Sequence, residues 1–178
     1  MDASRDVGAL SGYARAVAID DVTIRDATLG DIDLILAYLV KKSAFDRSTG
    51  AFAGELGTTP ARIAATLFGD SAFARVVFGE RGGQPCGFAL YYFRYSSFAG
   101  RPSLWLDDLY VDAEARSLGV GARILWRLRE IAVAADATHL GWTAAVQNPR
   151  GIAFYQRAGA TIVARDDAQV TFWLTVRA

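Results

Sequence analysis

The sequence has one cysteine and one histidine among its 178 residues. Cys86 alone cannot form an internal disulfide, and His139 with scattered carboxylates makes no zinc pattern. No apolar run reaches the length of about 18 residues that predicts a membrane-spanning helix. Neither sign of charge is in excess, because 19 Lys and Arg balance 19 Asp and Glu. These absences predict a cytoplasmic protein without a metal, and without a general attraction for nucleic acid or a membrane surface.

The N-terminal segment is charged where a signal peptide would be apolar. Asp2, Arg5, Asp6 and Arg15 interrupt it, and a secretory leader needs a continuous apolar stretch there. We interpret residues 1–20 as a flexible extension. The chain is 52% hydrophobic, which is enough to bury one core, so residues 21–178 are expected to form a single domain.

Apolar periodicity alternates between strand and helix along the chain, which predicts an α/β (α+β) fold. The first strand is expected at Val22–Arg25, and a helix follows the potential cap Thr28. The glycine-rich segment Ser43–Thr59 lacks helical periodicity and predicts a long loop. A second helix is expected at Pro60–Phe68, with proline in its first turn.

The rest of the chain continues the alternation, with a tight turn expected at Gly79–Gly83. The predicted order is β-α-α-β-β-β-α-β-α-β-β. The later strands and helices are predicted at Ala72–Phe78, Cys86–Tyr95, Leu104–Val111, a long helix after Gly119, His139–Val146, Arg150–Ala158, Ile162–Val163 and Val170–Val176.

Gly119 and Gly121 stand where a strand gives way to an amphipathic helix. Free N–H groups and the positive end of the dipole at a helix start attract anions, and glycines let a pyrophosphate approach the backbone. An ordinary turn explains two glycines equally well, because short glycine motifs recur by chance. A Walker loop is excluded by its missing Gly-Lys-Ser/Thr, and a dinucleotide fingerprint by the absence of a third glycine in Ala122–Ile124.

Context favours the phosphate interpretation, because three motifs occur in the order of one enzyme superfamily. In chain order they are Leu109–Val111 with Arg116-x-x-Gly119-x-Gly121, then Asn148–Pro149, then Phe154–Ala160. This combination resembles the GNAT acyltransferases, whose first motif reads (Arg/Gln)-x-x-Gly-x-(Gly/Ala). The run Trp105–Val111 and the Phe-Tyr-x-Arg-x-Gly-Ala ending are most similar to the diamine N-acetyltransferase group, which includes spermidine/spermine and thialysine acetylating enzymes.

The resemblance implies a mixed, mostly antiparallel twisted sheet flanked by helices. It also implies transfer of an acetyl group from acetyl-CoA to a primary amine of a small molecule, such as a polyamine, a diamine or an amino-acid-like amine, within a ternary complex. A homodimer is implied as well, and the apolar ending Val170–Val176 suits pairing between subunits. The alternatives are an acyl-CoA-binding sensor or interaction module without turnover, and an antibiotic or protein N-acetyltransferase.

The cofactor-binding residues follow from the same resemblance. The backbone of Leu109, Tyr110 and Val111 is implied to lie along the pantetheine arm. Arg116 either contacts a phosphate or is merely solvated, and Asn148 either bonds the cofactor arm or forms a plain turn before proline. The backbone implied to hold the pyrophosphate belongs to Ser117, Leu118, Gly119, Val120, Gly121 and Ala122.

Two residues match the positions of catalytic groups in the family. Tyr155 matches a general acid for the departing thiolate, although a phenol of pKa about 10 needs tuning to protonate a thiolate of pKa about 8.5. Its alternative role is a packed aromatic on the last helix, and the family position also places it near the cofactor. Asp107 matches a glutamate that draws the amine proton through water, but it is one methylene shorter.

Fewer residues are candidates for binding the acceptor amine. Asp108 is a candidate for binding a cationic substrate, and Tyr95 for lining an acceptor channel. Adjacent strand residues point to opposite faces, so Asp107 and Asp108 share a pocket only if the strand is bulged. Arg94 and Lys41–Lys42 place positive charge where a polycation would want acids, which favours a smaller or amino-acid-like amine over spermidine.

Overall fold

Local capping starts the first helix of the chain. In the computed structural model, which describes residues 21–51 and 54–176, the Asp31 carboxylate accepts a hydrogen bond from the Thr28 backbone N–H at 2.8 Å. A single 3-10 turn, Leu29–Asp31, then leads into helix α1, Ile32–Thr49. The proposed N-terminal extension, residues 1–20, lies outside the described residues.

Helix α1 is longer than predicted. The expected loop from Ser43 was wrong for its first two turns, because the helix continues to Thr49 and ends where Gly50 adopts φ 74°. Glycine adopts this left-handed conformation without steric cost, so it marks the true end of the helix. The prediction took glycine content over the whole segment as a loop signal and missed this boundary.

The other elements follow the predicted order. The strands are β1 Val22–Asp26, β2 Arg75–Arg81, β3 Gln84–Ser96, β4 Arg101–Val111, β5 His139–Ala145, β6 Thr161–Arg165 and β7 Gln169–Thr175. The remaining helices are α2 Pro60–Ile63, which continues as a π-helical turn Ala64–Phe68, α3 Val120–Ala134 and α4 Pro149–Arg157.

The turn between β2 and β3 is shorter than expected. It consists of Gly82 and Gly83, both with positive φ, as a two-residue hairpin turn requires. Gly79, which was placed in the turn, lies within β2, where an added Cβ would come 2.8 Å from a methyl group of Val120 on α3. The absence of a side chain at Gly79 therefore serves helix packing.

All seven strands form one sheet in the order β1-β2-β3-β4-β5-β7-β6. Neighbouring strands are antiparallel except β4 and β5, which are parallel. The mixed, mostly antiparallel sheet is therefore confirmed.

The single parallel pair creates a gap in the sheet. Strands β4 and β5 pair only at Leu104 with Leu140 and at Trp105 with Gly141. Beyond these positions β4 continues to Val111 and β5 to Ala145 without pairing to each other, so the two strands part. The wedge between their C-terminal ends leaves backbone groups of β4 available to a ligand.

Side chains on the two faces of the sheet bury two separate clusters. On one face, Ile124, Leu125 and Leu128 of α3 are fully buried. On the other, Ile35 and Tyr38 of α1 pack with aromatic residues of β2 and β3. The helices are thus fixed on opposite faces, and both contribute to the wedge. Within the described ranges, no helix is long and apolar enough to cross a membrane.

Candidate active site

A cavity of about 490 Å³ opens where β4 and β5 part. Its walls come from α1, the end of β4, the turn before α3, and the start of α4. Most of the residues predicted to bind the cofactor line it. They are Leu109, Tyr110, Val111, Arg116, Ser117, Gly119, Gly121, Ala122, Asn148 and Tyr155.

Two residues of the predicted cofactor set do not line the cavity with their side chains. Leu118 is 38% exposed, and Val120 is 1% exposed and packs in the core. Their predicted contribution was through backbone N–H groups, which depends on the path of the chain and not on the direction of the side chain. Val120 is the first residue of α3, so its N–H belongs to the unpaired first turn.

The turn before α3 has the backbone of an anion-binding concavity. Ser117 has φ 67° and Gly119 has φ 86°, so two left-handed residues bend the chain just before the helix begins. Such a bend gathers successive N–H groups on its inner side. A left-handed serine costs about 1 kcal/mol, and strain of this kind is retained most often at functional sites.

Gly121 has a packing role of its own. A Cβ at this position would lie 3.2 Å from Cζ of Phe154 on α4. The glycine therefore allows α3 and α4 to approach each other beside the cavity. Of the two glycines in the motif, Gly119 serves the backbone conformation and Gly121 the contact between helices.

Arg116 braces the turn against its surroundings. Its Nε donates to the Val111 carbonyl at 3.0 Å, and its guanidinium lies over the rings of Phe45 at 5.1 Å and Tyr110 at 5.5 Å. Arg116 is therefore not merely solvated. These contacts hold the turn, the end of β4 and α1 together at the cavity wall.

Arg150 is a cavity residue that sequence reasoning missed. It lies in the first turn of α4, and its Nη2 is 3.4 Å from the Ser117 hydroxyl. Arg157, two turns later on the same helix, also lines the cavity. The available signal was the spacing of these two arginines after the Asn148 cap, which places both on one helical face.

If the anion held at this turn is a phosphate of acetyl-CoA, Arg150→Ala is expected to raise the Kd of acetyl-CoA about tenfold through the loss of a charge-assisted contact. Isothermal titration at two salt concentrations measures this, and the salt dependence is expected to weaken in the variant. Arg165→Ala, on the edge strand β6, is the matched control. Equal Kd values for the two variants would show that Arg150 does not contact the ligand.

Asn148 caps α4 from the edge of the cavity. Its Oδ1 accepts a hydrogen bond from the Gly151 N–H at 2.9 Å, and Pro149 occupies the first helical position. The plain structural role considered for this residue is therefore present. The cap also fixes the carboxamide at the cavity wall, where its amide group can donate.

Tyr155 belongs to both the core and the cavity. Its ring lies 4.9 Å from that of Trp142 and 5.4 Å from that of Phe172, while the residue lines the cavity. Burial raises the pKa of the Tyr155 phenol, and the carboxylates of Asp108 and Asp46 raise it further. The phenol is thus held in its protonated form, which is the form a proton donor needs.

The acidic pair lies at a bulge in β4. Leu90 of β3 stands opposite Asp108 and Tyr91 stands opposite Leu106, which leaves Asp107 as the extra residue. The bulge removes the strict alternation that would send the two carboxylates to opposite faces.

The two carboxylates differ in their surroundings. Although Asp107 reaches the surface, desolvation raises its carboxyl pKa, the Asp108 carboxylate raises it further, and Lys42 lowers it in part. Asp108 instead makes an ion pair with Lys42, with Nζ and Oδ1 3.2 Å apart. Asp107 is therefore the member of the pair whose environment favours taking up a proton.

The structure does not bring Tyr95 to the cavity. Tyr95 is 77% exposed and stands opposite Pro102, at the end of the β3–β4 hairpin remote from Leu109–Val111. A contact of Tyr95 with the acceptor stays a prediction. Asp107 and Asp108 are also absent from the cavity wall, to which α1 contributes Phe45 and Thr49.

Comparison with known proteins defines the class. Residues 42–160 match the Acetyltransferase (GNAT) family. The chain belongs to this family and is an acyltransferase enzyme. GNAT enzymes use acetyl-CoA as cosubstrate, and among the residues that the structure describes no group of His, Cys, Asp and Glu side chains is placed to hold a metal ion.

Individual relatives show which members of the family the chain resembles. It is 30% identical over 153 residues to human spermidine/spermine N(1)-acetyltransferase-like protein 1, covering 82% of this chain but only 21% of that relative. It is 29% identical over 148 residues to thialysine N-epsilon-acetyltransferase of Bos taurus, covering 78% and 84% of the two chains. The predicted resemblance to the diamine acetyltransferase group is confirmed.

Solved structures support the same fold. The N-acetyltransferase from Staphylococcus aureus Mu50 superposes with a TM-score of 0.68, covering 88% of this chain and 99% of that one. Its sequence identity is 22%, so the likeness establishes the architecture and says nothing about the acceptor.

Proposed function

We propose that this enzyme transfers the acetyl group of acetyl-CoA to a primary amine of a small molecule, with both substrates bound together. The observation that carries the proposal is that one cavity joins the anion-binding turn, the end of β4 beyond its pairing with β5, and Tyr155. A donor thioester lying along this cavity would reach from the helix start to the phenol. The thialysine N-epsilon-acetyltransferase of Bos taurus, a relative named for amine acetylation, supports the same reaction class.

The cavity walls fit the parts of acetyl-CoA. The bent backbone at Ser117 and Gly119 with the guanidinium of Arg150 suits a pyrophosphate. The unpaired edge at Leu109–Val111 suits the amides of a pantetheine arm, because both present donors and acceptors along an extended path. Apolar contact comes from Phe154.

The proposed chemistry assigns each proton to a side chain. The amine nitrogen forms a bond to the acetyl carbon, and the carbon–sulfur bond breaks. Asp107 accepts the amine proton, directly or through water, and Tyr155 donates its proton to the departing sulfur before solvent restores it. A backbone N–H of Leu109–Val111 stabilises the charge that develops on the carbonyl oxygen.

Thiol release from acetyl-CoA tests this function directly. The purified chain is mixed with a panel of polyamines, lysine analogues, amino acids and aminoglycosides, and free thiol and acetylated products are measured. We expect turnover with at least one small primary amine. Tight acetyl-CoA binding without product from any acceptor would favour the alternative, a sensor or interaction module. Turnover confined to aminoglycosides would favour an antibiotic N-acetyltransferase.

The Asp107 assignment predicts a change in pH dependence. A carboxylate acts as a base only above its pKa, so the raised pKa of Asp107 shifts the acidic limb of kcat/KM to higher pH than an ordinary aspartate would give. Asp107→Asn is expected to remove that limb and to lower kcat/KM about 100-fold, the lower end of the range for a positioned base. The limb set by the substrate amine should remain. A variant with an unchanged profile would exclude Asp107 as the base.

The homodimer remains a prediction, as do the cytoplasmic location and the single-domain boundaries. Strand β7 is interior to the sheet, and its residues Val170, Phe172 and Leu174 are buried in the subunit's own core. The edges of the sheet are β1 and β6, so pairing near the C-terminal segment would use β6, where Ile162 and Val163 are 37% and 43% exposed.

A further inference from the structure

Lys42 reaches two carboxylates beside the cavity. Its Nζ lies 2.5 Å from Oδ2 of Asp46 and 3.2 Å from Oδ1 of Asp108. Lys42 and Asp46 are one turn apart on α1, whereas Asp108 belongs to the bulge of β4. One ammonium thus links the helix to the strand that carries the proposed base.

This ion cluster lies next to the proposed base and close to the cavity. Its three side chains do not line the cavity themselves, but Phe45 and Thr49, three and seven residues after Lys42, line it from the same face of α1. The carboxylates of Asp46 and Asp108 are also the two charges that act on the Tyr155 phenol. The cluster therefore stands near both proposed proton-transfer groups.

The Lys42 side chain remains charged. Burial lowers its pKa, but attraction to Asp108 and the hydrogen bond to Asp46 outweigh that effect, and the net pKa is raised. The two carboxylates are consequently occupied by an internal cation. Asp107 lies beside this cluster, because the charges of Asp108 and Lys42 both act on its carboxyl.

We propose that Lys42 determines acceptor specificity: its ammonium takes the place that a second substrate ammonium would need between Asp46 and Asp108. The preferred acceptors are then amines with one positive charge, because a second substrate ammonium has no free pair of carboxylates to bind it. This inference rests on the proposed acetyl transfer, and it assigns a substrate class that excludes polyamines as preferred acceptors.

Electrostatics gives the sign of the effect. A second ammonium entering the pocket would meet Lys42 in surroundings that screen charge less than water does. Because Lys42 fills the position between Asp46 and Asp108, it offsets one of the two carboxylate charges and lowers the advantage of a second substrate ammonium. Removing the Lys42 charge leaves both carboxylates free to attract that ammonium and to repel an anionic tail.

Three acceptors with the same four-carbon chain isolate the charge of the tail. They are n-butylamine, 1,4-diaminobutane and 4-aminobutanoate, and thiol release gives kcat/KM for each. We expect the wild-type enzyme to use 1,4-diaminobutane no better than n-butylamine, because Lys42 fills the position between the two acids. We expect it to use 4-aminobutanoate least well, because the cluster keeps a net negative charge. Lys42→Met is expected to raise the relative rate of the diamine about tenfold and to lower that of 4-aminobutanoate.

Matched variants separate charge from folding. Lys42→Arg keeps the charge and should keep the wild-type preference, and Lys42→Gln provides an uncharged hydrogen-bond donor if the methionine variant folds poorly. Lys41→Met removes the same charge from the next residue of α1, where Nζ pairs with Asp112 at 2.7 Å. It should leave the ratios among the three acceptors unchanged.

The possible results are distinct. A wild-type preference for the diamine would overturn the specificity role while leaving acetyl transfer intact. The same conclusion would follow if Lys42→Met and Lys42→Gln changed kcat/KM by one common factor for all acceptors. Acetyl-CoA binding without thiol release from any acceptor, including the wider amine panel, would overturn the proposed function and this inference together. A selective gain for the diamine supports both.

Discussion

Replacing Tyr155 by phenylalanine is expected to lower kcat by about 100-fold or more, within the range of about 10²–10⁴ that a positioned general acid contributes. The substitution removes only the hydroxyl, so the ring contacts with Trp142 and Phe172 remain. Acetyl-CoA should still bind, because the anion-binding turn is untouched. The predicted loss is therefore in kcat, measured as thiol release at saturating substrates, with little change in Kd.

A second tyrosine provides the control for this experiment. Tyr91 is 3% exposed on β3 and does not line the cavity at the end of β4. Tyr91→Phe therefore removes a buried phenol without touching the proposed donor. Thermal unfolding of both variants shows whether either loses stability. A Tyr155→Phe enzyme with wild-type kcat would leave Tyr155 only its packing role in the core.

The pKa shift of Tyr155 adds a constraint on its role. A raised pKa makes the phenol a weaker acid, so full transfer to a thiolate of pKa about 8.5 is unfavourable in the resting site. The same shift keeps the proton on Tyr155 across the neutral pH range. The hydroxyl is thus suited to donate a hydrogen bond as the carbon–sulfur bond breaks, with complete transfer only as charge develops on sulfur.

The order of elements could be predicted because its signals are local. Apolar spacing after Gly119 defines α3, and the alternation in Leu104–Val111 defines β4. The turn joining them follows from the glycine motif in that context. The strand-turn-helix unit is therefore contained in one continuous segment, and the structure places it as the sequence indicates.

The acceptor side could not be predicted in the same way, because it depends on contacts between distant segments. Lys42 was assessed as a positive charge in front of a loop, while the structure places it on a continuing helix against Asp108. Extending α1 to Thr49 is what brings Phe45 and Asp46 to the site. Only the fold shows that Lys42 forms ion pairs with Asp46 and Asp108.

Arg150 illustrates the same limit within a correctly predicted helix. Its position at the start of α4 was clear from the sequence, but its nearness to Ser117 depends on how α3 and α4 pack. Gly121 permits that approach by leaving room for Phe154. Proximity of this kind follows from packing geometry, which periodicity alone does not specify.

Placing valine at Gly119 is expected to raise the Kd of acetyl-CoA by about 100-fold, the effect of losing about two charge-assisted hydrogen bonds. Gly119 has φ 86°, a conformation in which a β-branched residue is a steric outlier. The turn must rearrange to relieve the clash, and the first N–H groups of α3 then no longer converge. Isothermal titration measures the Kd, and kcat at saturation should change less than kcat/KM.

A second left-handed glycine, remote from the cavity, separates the effect of backbone strain from the loss of ligand binding. Gly100 has φ 60° in the β3–β4 turn, at the opposite end of β4 from the cavity, with open space around a potential Cβ. Gly100→Val should cost a similar 1–2 kcal/mol, roughly, in the free energy of unfolding but leave the Kd unchanged. If both variants weakened acetyl-CoA binding equally, the loss would come from general destabilisation. A loss confined to Gly119→Val would locate the pyrophosphate at the start of α3.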